Sequence, residues 1–200
     1  MLRTAVAAIG LTVCVFAQAQ LAERPKYNVG DTWEWVTIDS LTKNETSRQK
    51  LTVVQVGDDI RLSAVSGGPT TRIWSIDGML LQDATTGSKT TYKTPPRPWP
   101  LEVGKKWDIQ SEWVNSSGQS GRTQQSASVV AFEEISTAAG KFAAFKIEVK
   151  GYYTNFTLGR GGRQDQVMWY SPKIGVSVRQ TYDDGFTRSI TEIESTTRLQ

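Results

Sequence analysis

Apolar and polar residues alternate with period two along much of this chain. Phe145, Ile147 and Val149 fall on one side and Lys146, Glu148 and Lys150 on the other, the pattern of a strand with one face in a core and one in water. The same alternation sets Ile60, Leu62 and Ala64 against Arg61 and Ser63. It sets Trp107, Ile109 and Trp113 against Asp108, Gln110 and Glu112, and Ile174, Val176 and Val178 against Gly175, Ser177 and Arg179. Turn signals separate these runs at Gly57-Asp58, Ser66-Gly67-Gly68-Pro69, Asp77-Gly78, Ser117-Gly118, Ala139-Gly140, Gly161-Gly162 and Asp184-Gly185. Asp-Gly between apolar runs is a strong hairpin signal, because both residues tolerate positive φ. No long apolar stripe with a 3.6-residue period appears after the first twenty residues. The pattern therefore predicts an all-β fold with little helix: a curved antiparallel sheet, half-barrel or barrel-like, with a sandwich as the alternative closure.

A weak internal repeat runs through the pattern. Val29-Gly30-Asp31-Thr32-Trp33 is echoed by Val103-Gly104-Lys105-Lys106-Trp107, and each copy leads into an apolar strand and, later, a strand carrying Trp74 or Trp169. Between the halves stands Thr94-Pro95-Pro96-Arg97-Pro98-Trp99-Pro100. Its prolines cannot donate to a central ladder, so 94–100 reads as a crossover within one domain spanning 20–200.

The first nineteen residues follow different rules. A basic start ending at Arg3, an uncharged apolar run from Thr4 to Phe16 and the small residues of Ala17-Gln18-Ala19 have the form of a secretory signal cleaved after Ala19. The run is too short to cross a bilayer, and Glu23, Arg24 and Lys26 follow closely. Val13 before Cys14 does not make a lipoprotein cleavage site. The expectation is a 1–19 signal peptide, no membrane span in the remainder, and a periplasmic or secreted protein.

Cleavage removes Cys14, the only cysteine, from a chain that contains no histidine. Ser-His-Asp and Cys-His nucleophiles, thiolate zinc sites and imidazole metal sites are thereby excluded from 20–200. No cofactor and no catalytic or metal residue is expected, with oxygen-ligated calcium the one metal chemistry left open. The formal charge of +3 includes Arg3, and lysines and arginines are scattered among acids, which does not suggest nucleic acid.

Four segments, Tyr27 to Trp33, Pro100 to Trp107, Gly140 to Ile147 and Trp169 to Gly175, together resemble a group of bacterial exported proteins of unknown function, the TapB-like group. The resemblance implies a bacterial envelope protein with a curved sheet or barrel distantly similar to lipoprotein-carrier architectures. It brings no catalytic residue.

Candidate chemistry rests mainly on the seven tryptophans. On a concave sheet such rings suit an acyl chain or a sugar face. Trp35, Trp74 and Trp113 are the expected ligand-binding residues, with Trp33, Trp107 and Trp169 assigned to the core and Trp99, between two prolines, to a partly exposed place. Gly159 to Arg163 has the makings of an anion cradle but no following helix, and reads better as a hairpin loop. Glu133 and Glu134 point to opposite faces of any strand, while Asp58-Asp59 and Asp183-Asp184 read as turn residues. The expected function is non-enzymatic binding of a lipid or other apolar or amphipathic small molecule in the envelope. The alternatives are an envelope assembly protein that meets a protein partner without a pocket, and a carbohydrate-binding or hydrolysing protein.

Overall fold

A computed structural model describes residues 20–65 and 67–198; the expected signal segment and Cys14 lie outside them. Twelve strands follow one another: β1 (Thr32–Asp39), β2 (Glu45–Val56), β3 (Asp59–Ser63), β4 (Arg72–Ser75), β5 (Leu80–Asp83), β6 (Ser88–Tyr92), β7 (Lys106–Val114), β8 (Ser120–Thr137), β9 (Gly140–Asn155), β10 (Arg160–Ser171), β11 (Val176–Asp183) and β12 (Arg188–Thr196). Each pairs antiparallel with its neighbours in sequence, and β1 pairs with β12, so the meander closes into a barrel. The fold is all-β, and of the expected closures the full barrel is the one adopted.

The alternation read from the sequence is the alternation of the wall. On β9, Phe145, Ile147 and Val149 are buried while Lys146 and Glu148 are half-exposed and Lys150 exposed. On β7, Ile109 and Ser111 are buried between exposed Asp108, Gln110 and Glu112. The outer face thus carries charge, the reverse of a barrel whose outward residues meet lipid.

The repeat is structural. In each half a glycine in the left-handed region, Gly30 (φ 95°) and Gly104 (φ 93°), occupies the third position of a turn closed by a backbone bond, Asp31 N to Asn28 O at 3.0 Å and Lys105 N to Glu102 O at 3.2 Å. Positive φ at that position is what glycine supplies. Gly30 and Gly104 then donate to the carbonyls of Val53 (2.9 Å) and Val129 (2.8 Å), and these valines donate back to Asp31 and Lys105. Trp33 opposes Leu51, and Trp107 opposes Ala127.

The later strands depart from the expected pairing. Val53, Leu62 and Arg72 lie side by side across β2, β3 and β4, as Val129, Ile147 and Met168 do across β8, β9 and β10. Two residues on, Trp74 therefore corresponds to Tyr170, not Trp169. With one residue's difference in a strand, Trp169 points to the other face. There its indole donates to Glu133 (2.7 Å), with Lys146 and Arg179 over its ring, and it packs half-buried against a cluster of buried residues that includes Ile135, Phe142 and Ala144. Gly161 and Gly162 likewise lie within β10 and not in the loop, whose left-handed residue is Gly159 (φ 63°). They are glycines because the neighbouring strand comes too close. A Cβ on Gly161 would strike the carbonyl of Tyr153, and one on Gly162 would meet the Tyr153 ring at 3.0 Å. Ala64, read as inward, is exposed because β3 ends at Ser63.

One end of the barrel has a floor. Ala22 and Leu101 exchange backbone hydrogen bonds of 2.9 and 2.8 Å, joining the segment before β1 to the proline-rich crossover between β6 and β7. The crossover is tied to the wall by Trp107 Nε1 donating to Pro96 O (3.0 Å) and Trp99 Nε1 to Asp77 Oδ1 (2.8 Å). Pro96, Arg97 and Leu101 are buried in it.

Candidate functional site

Inward residues change character along the barrel axis. Near the floor they are large and apolar: Trp33, Leu51, Leu62, Ile147, Tyr170 and Ile193 are each at most 1% exposed. Further along β1, β2, β10 and β12, at the same parity, stand Thr37, Ser47, Gln49, Gln166 and Thr191, and Gln180 follows buried Val176 and Val178 on β11. These polar groups find one another: Thr37 and Thr191 hydroxyls lie 2.9 Å apart, and Gln180 Nε2 donates to Gln166 Oε1 at 3.4 Å. Gln125 donates to Gln164 at 3.2 Å, and Gln164 to the Tyr182 hydroxyl at 3.1 Å.

Where the two regimes meet, the barrel holds a cavity of about 500 Å³, within the roughly 300–1,000 Å³ range of small-molecule sites. Trp35, Trp74, Leu80 and Met168 supply apolar wall, and Gln49, Gln166, Gln180 and Thr191 polar wall. Trp35 is fixed by its indole N–H, which donates to Ser177 O at 3.2 Å. Its ring stacks on Trp33 at 6.2 Å, and Trp74 stands 6.0 Å from Trp33. Two of the three expected ligand residues, Trp35 and Trp74, are thus brought together in one wall. Trp113 is half-buried on β7, opposite Thr90 and packed over Gly121, away from that wall.

The sequence reading missed the two cavity arginines. Arg72 is paired with Asp83 at 3.1 Å. Arg97, from the crossover, is 5% exposed, and its guanidinium carbon lies 4.6 Å from the Tyr170 ring centroid and 5.8 Å from that of Trp99. Burial pushes the Tyr170 phenol up to about 12, with Arg97 and Arg198 pulling against it. Burial also raises Tyr92, again opposed by Arg97, and raises Tyr27 further still. Tyr27 donates its hydroxyl to Gly175 O at 2.9 Å. The missed glutamine and threonine wall had a sequence signal: uncharged polar residues continue the inward parity, as in Met168-Val167-Gln166 and Leu51-Lys50-Gln49.

A second hollow, of about 470 Å³, lies outside the barrel between Lys106, Ser128, Glu148 and Lys150. Trp107 and Ala127 supply its apolar lining, and its charges are solvated or paired, as Lys150 is with Glu148 at 2.8 Å. The carboxylate pairs are dispersed. Glu134 pairs with Lys141 at 3.1 Å on the face away from Glu133, Asp183 pairs with Arg188 at 3.0 Å, and Asp184 caps Phe186 and Thr187. In the Gly159 to Arg163 segment, weighed as an anion cradle and read as a hairpin loop, Arg163 is paired with Asp165.

Fold and cavity together define a twelve-stranded meander barrel with a closed floor and a mixed apolar and polar chamber. Solved structures share that fold. A candidate exported protein with YmcC-like fold from Bacteroides fragilis is 15% identical with a TM-score of 0.56, over 88% of this chain and 99% of that one. A candidate lipoprotein from Parabacteroides distasonis is 13% identical with a TM-score of 0.53, over 88% and 99%. The hypothetical lipoprotein YmcC from Escherichia coli is 11% identical with a TM-score of 0.54, over 83% and 84%. No protein-family model matches the sequence, and no curated protein does.

Proposed function

We propose that this chain is an exported, non-enzymatic protein of the bacterial envelope, periplasmic or secreted after cleavage near Ala19, and that its barrel holds one small amphipathic molecule. The observation that carries the reading is the cavity of about 500 Å³ in which the Trp35 and Trp74 rings face an uncharged polar wall. Such a chamber receives an apolar body on one side and satisfies polar groups on the other. The residues lining it include two arginines and no carboxylate, which supports holding a molecule over acid-base chemistry on it. The export signal and the resemblance to TapB-like proteins support the location, and the descriptions of the fold neighbours agree with it.

Each strand has a hydrogen-bonded neighbour on either side, but β8 beyond Val129 pairs with β9 alone. That overhang is the sheet edge an envelope protein partner would meet.

Tryptophan emission during titration with dodecanoate, lysophospholipid and a neutral oligosaccharide tests the proposal. A saturable change with an amphiphile is expected. Saturation by the oligosaccharide alone would favour the carbohydrate reading, and flat titrations throughout with a folded protein would overturn the binding reading.

A further inference from the structure

Arg97 stands apart from the other half-buried or buried cations near the chamber. Arg72 has Asp83 at 3.1 Å, and Arg198 has Asp31 at 3.4 Å and donates to Lys26 O at 3.0 Å. Arg97 is more buried than either, at 5% exposure, yet among the described residues it makes no ion pair and no hydrogen bond. A buried charge is strongly unfavourable unless paired. The Tyr170 and Trp99 faces offset part of that cost; the guanidinium N–H donors have no acceptor among the described residues, and its nitrogens are not among the fully buried unpaired atoms, so they open onto the chamber that Arg97 lines. Its place is also specific: it lines the chamber from the floor, below the Trp35 and Trp74 wall.

We propose that Arg97 anchors the carboxylate head of an amphipathic ligand, with the tail lying along Trp35 and Trp74. This rests on the binding reading above. The guanidinium fork matches a carboxylate bidentately, and such charge-assisted pairs are the strong ones. The charge count selects a monoanion, because Asp83 already neutralises Arg72 and Arg97 is the unpaired cation of the wall. The apolar wall excludes a bare small anion as the whole ligand, since the rings would gain nothing from it.

Dissociation constants for dodecanoate, dodecan-1-ol and dodecyl phosphate, measured by calorimetry on the protein isolated from the envelope fraction at about pH 8, where the carboxylate is ionised, test this. Dodecanoate is expected to bind wild type roughly 10–100 times more tightly than dodecanol, the scale of a hydrogen-bonded charge. Arg97→Met should abolish that preference while dodecanol affinity stays within about threefold. Equal binding of dodecanoate and dodecanol to wild type overturns the anchor and leaves the binding reading standing. A preference that survives Arg97→Met does the same, and tight dodecyl phosphate with weak dodecanoate overturns the choice of head. Silence of all three probes removes the binding reading itself. Should Arg97→Met not fold, the wild-type contrast between acid and alcohol decides.

Discussion

Trp35 and Trp74 stand with ring centroids 6.3 Å apart and planes at 62°, one from β1 and one from β4, and together they wall the chamber. Both should therefore report occupancy. Trp35→Ala and Trp74→Ala are each expected to weaken amphiphile binding about tenfold, the worth of part of an aromatic face. Trp113→Ala, away from the wall, should leave the dissociation constant unchanged within about twofold. Fluorescence titration of the three variants checks this, and equal losses in all three would contradict the placement.

Strand facing on β9 is testable by a pair of neighbours. Ile147 is fully buried, so Ile147→Asp should cost several kcal/mol, a large part of the roughly 5–15 kcal/mol of a domain. Lys146 lies on the outside with its ammonium 5.6 Å from the Trp169 ring. Lys146→Asp should cost only about 1 kcal/mol. Urea unfolding of both distinguishes the faces, and similar midpoints would refute the assignment.

Gly161 is packed against the Tyr153 carbonyl, whereas a Cβ on Gly57 would meet nothing within 4 Å. Gly161→Ala should lose about 1–3 kcal/mol by overpacking, or several degrees of Tm. Gly57→Ala should lie within about a degree of wild type. Calorimetric melting checks both, and an unshifted Gly161→Ala would show that β9 and β10 are not paired as described.

High pH should unfold the barrel through its buried phenols. Burial raises Tyr170 from its ordinary 10.0 to about 12 and raises Tyr27 in the same direction. Folding therefore favours the neutral phenols. That contribution is complete below about pH 10 and drains away as the pH rises through about 12. Tyrosinate absorbance should show a late phase that coincides with loss of circular dichroism. A single transition near pH 10 with the fold intact would contradict the burial.

Much of the wall was legible in the sequence and much of the chamber was not. Alternation at Phe145 to Lys150 was readable because a strand's two faces meet opposite solvents, and the repeat at Val29-Gly30 and Val103-Gly104 because its residues recur in order, while the turns that these glycines make came from the structure. The counterpart of Trp74 was misassigned to Trp169 because parity depends on pairing register, and the register that matches Trp74 to Tyr170 arises from strands far apart in sequence. Gly161 and Gly162 carry the composition of a loop, and only the approach of Tyr153 makes them strand residues. Arg97 was hidden most deeply. A cation among prolines reads as surface, and its burial comes from the crossover closing the barrel floor through Leu101 and Ala22, a tertiary event.

The most direct test is whether the chamber is filled where the protein is made. Native mass spectrometry of the protein isolated from the envelope fraction of its own host should show one noncovalent adduct of small-molecule mass per chain, released on denaturation and absent from Trp35→Glu protein that remains folded. The same mass under native and denaturing conditions, with the folded barrel intact, would contradict the binding role.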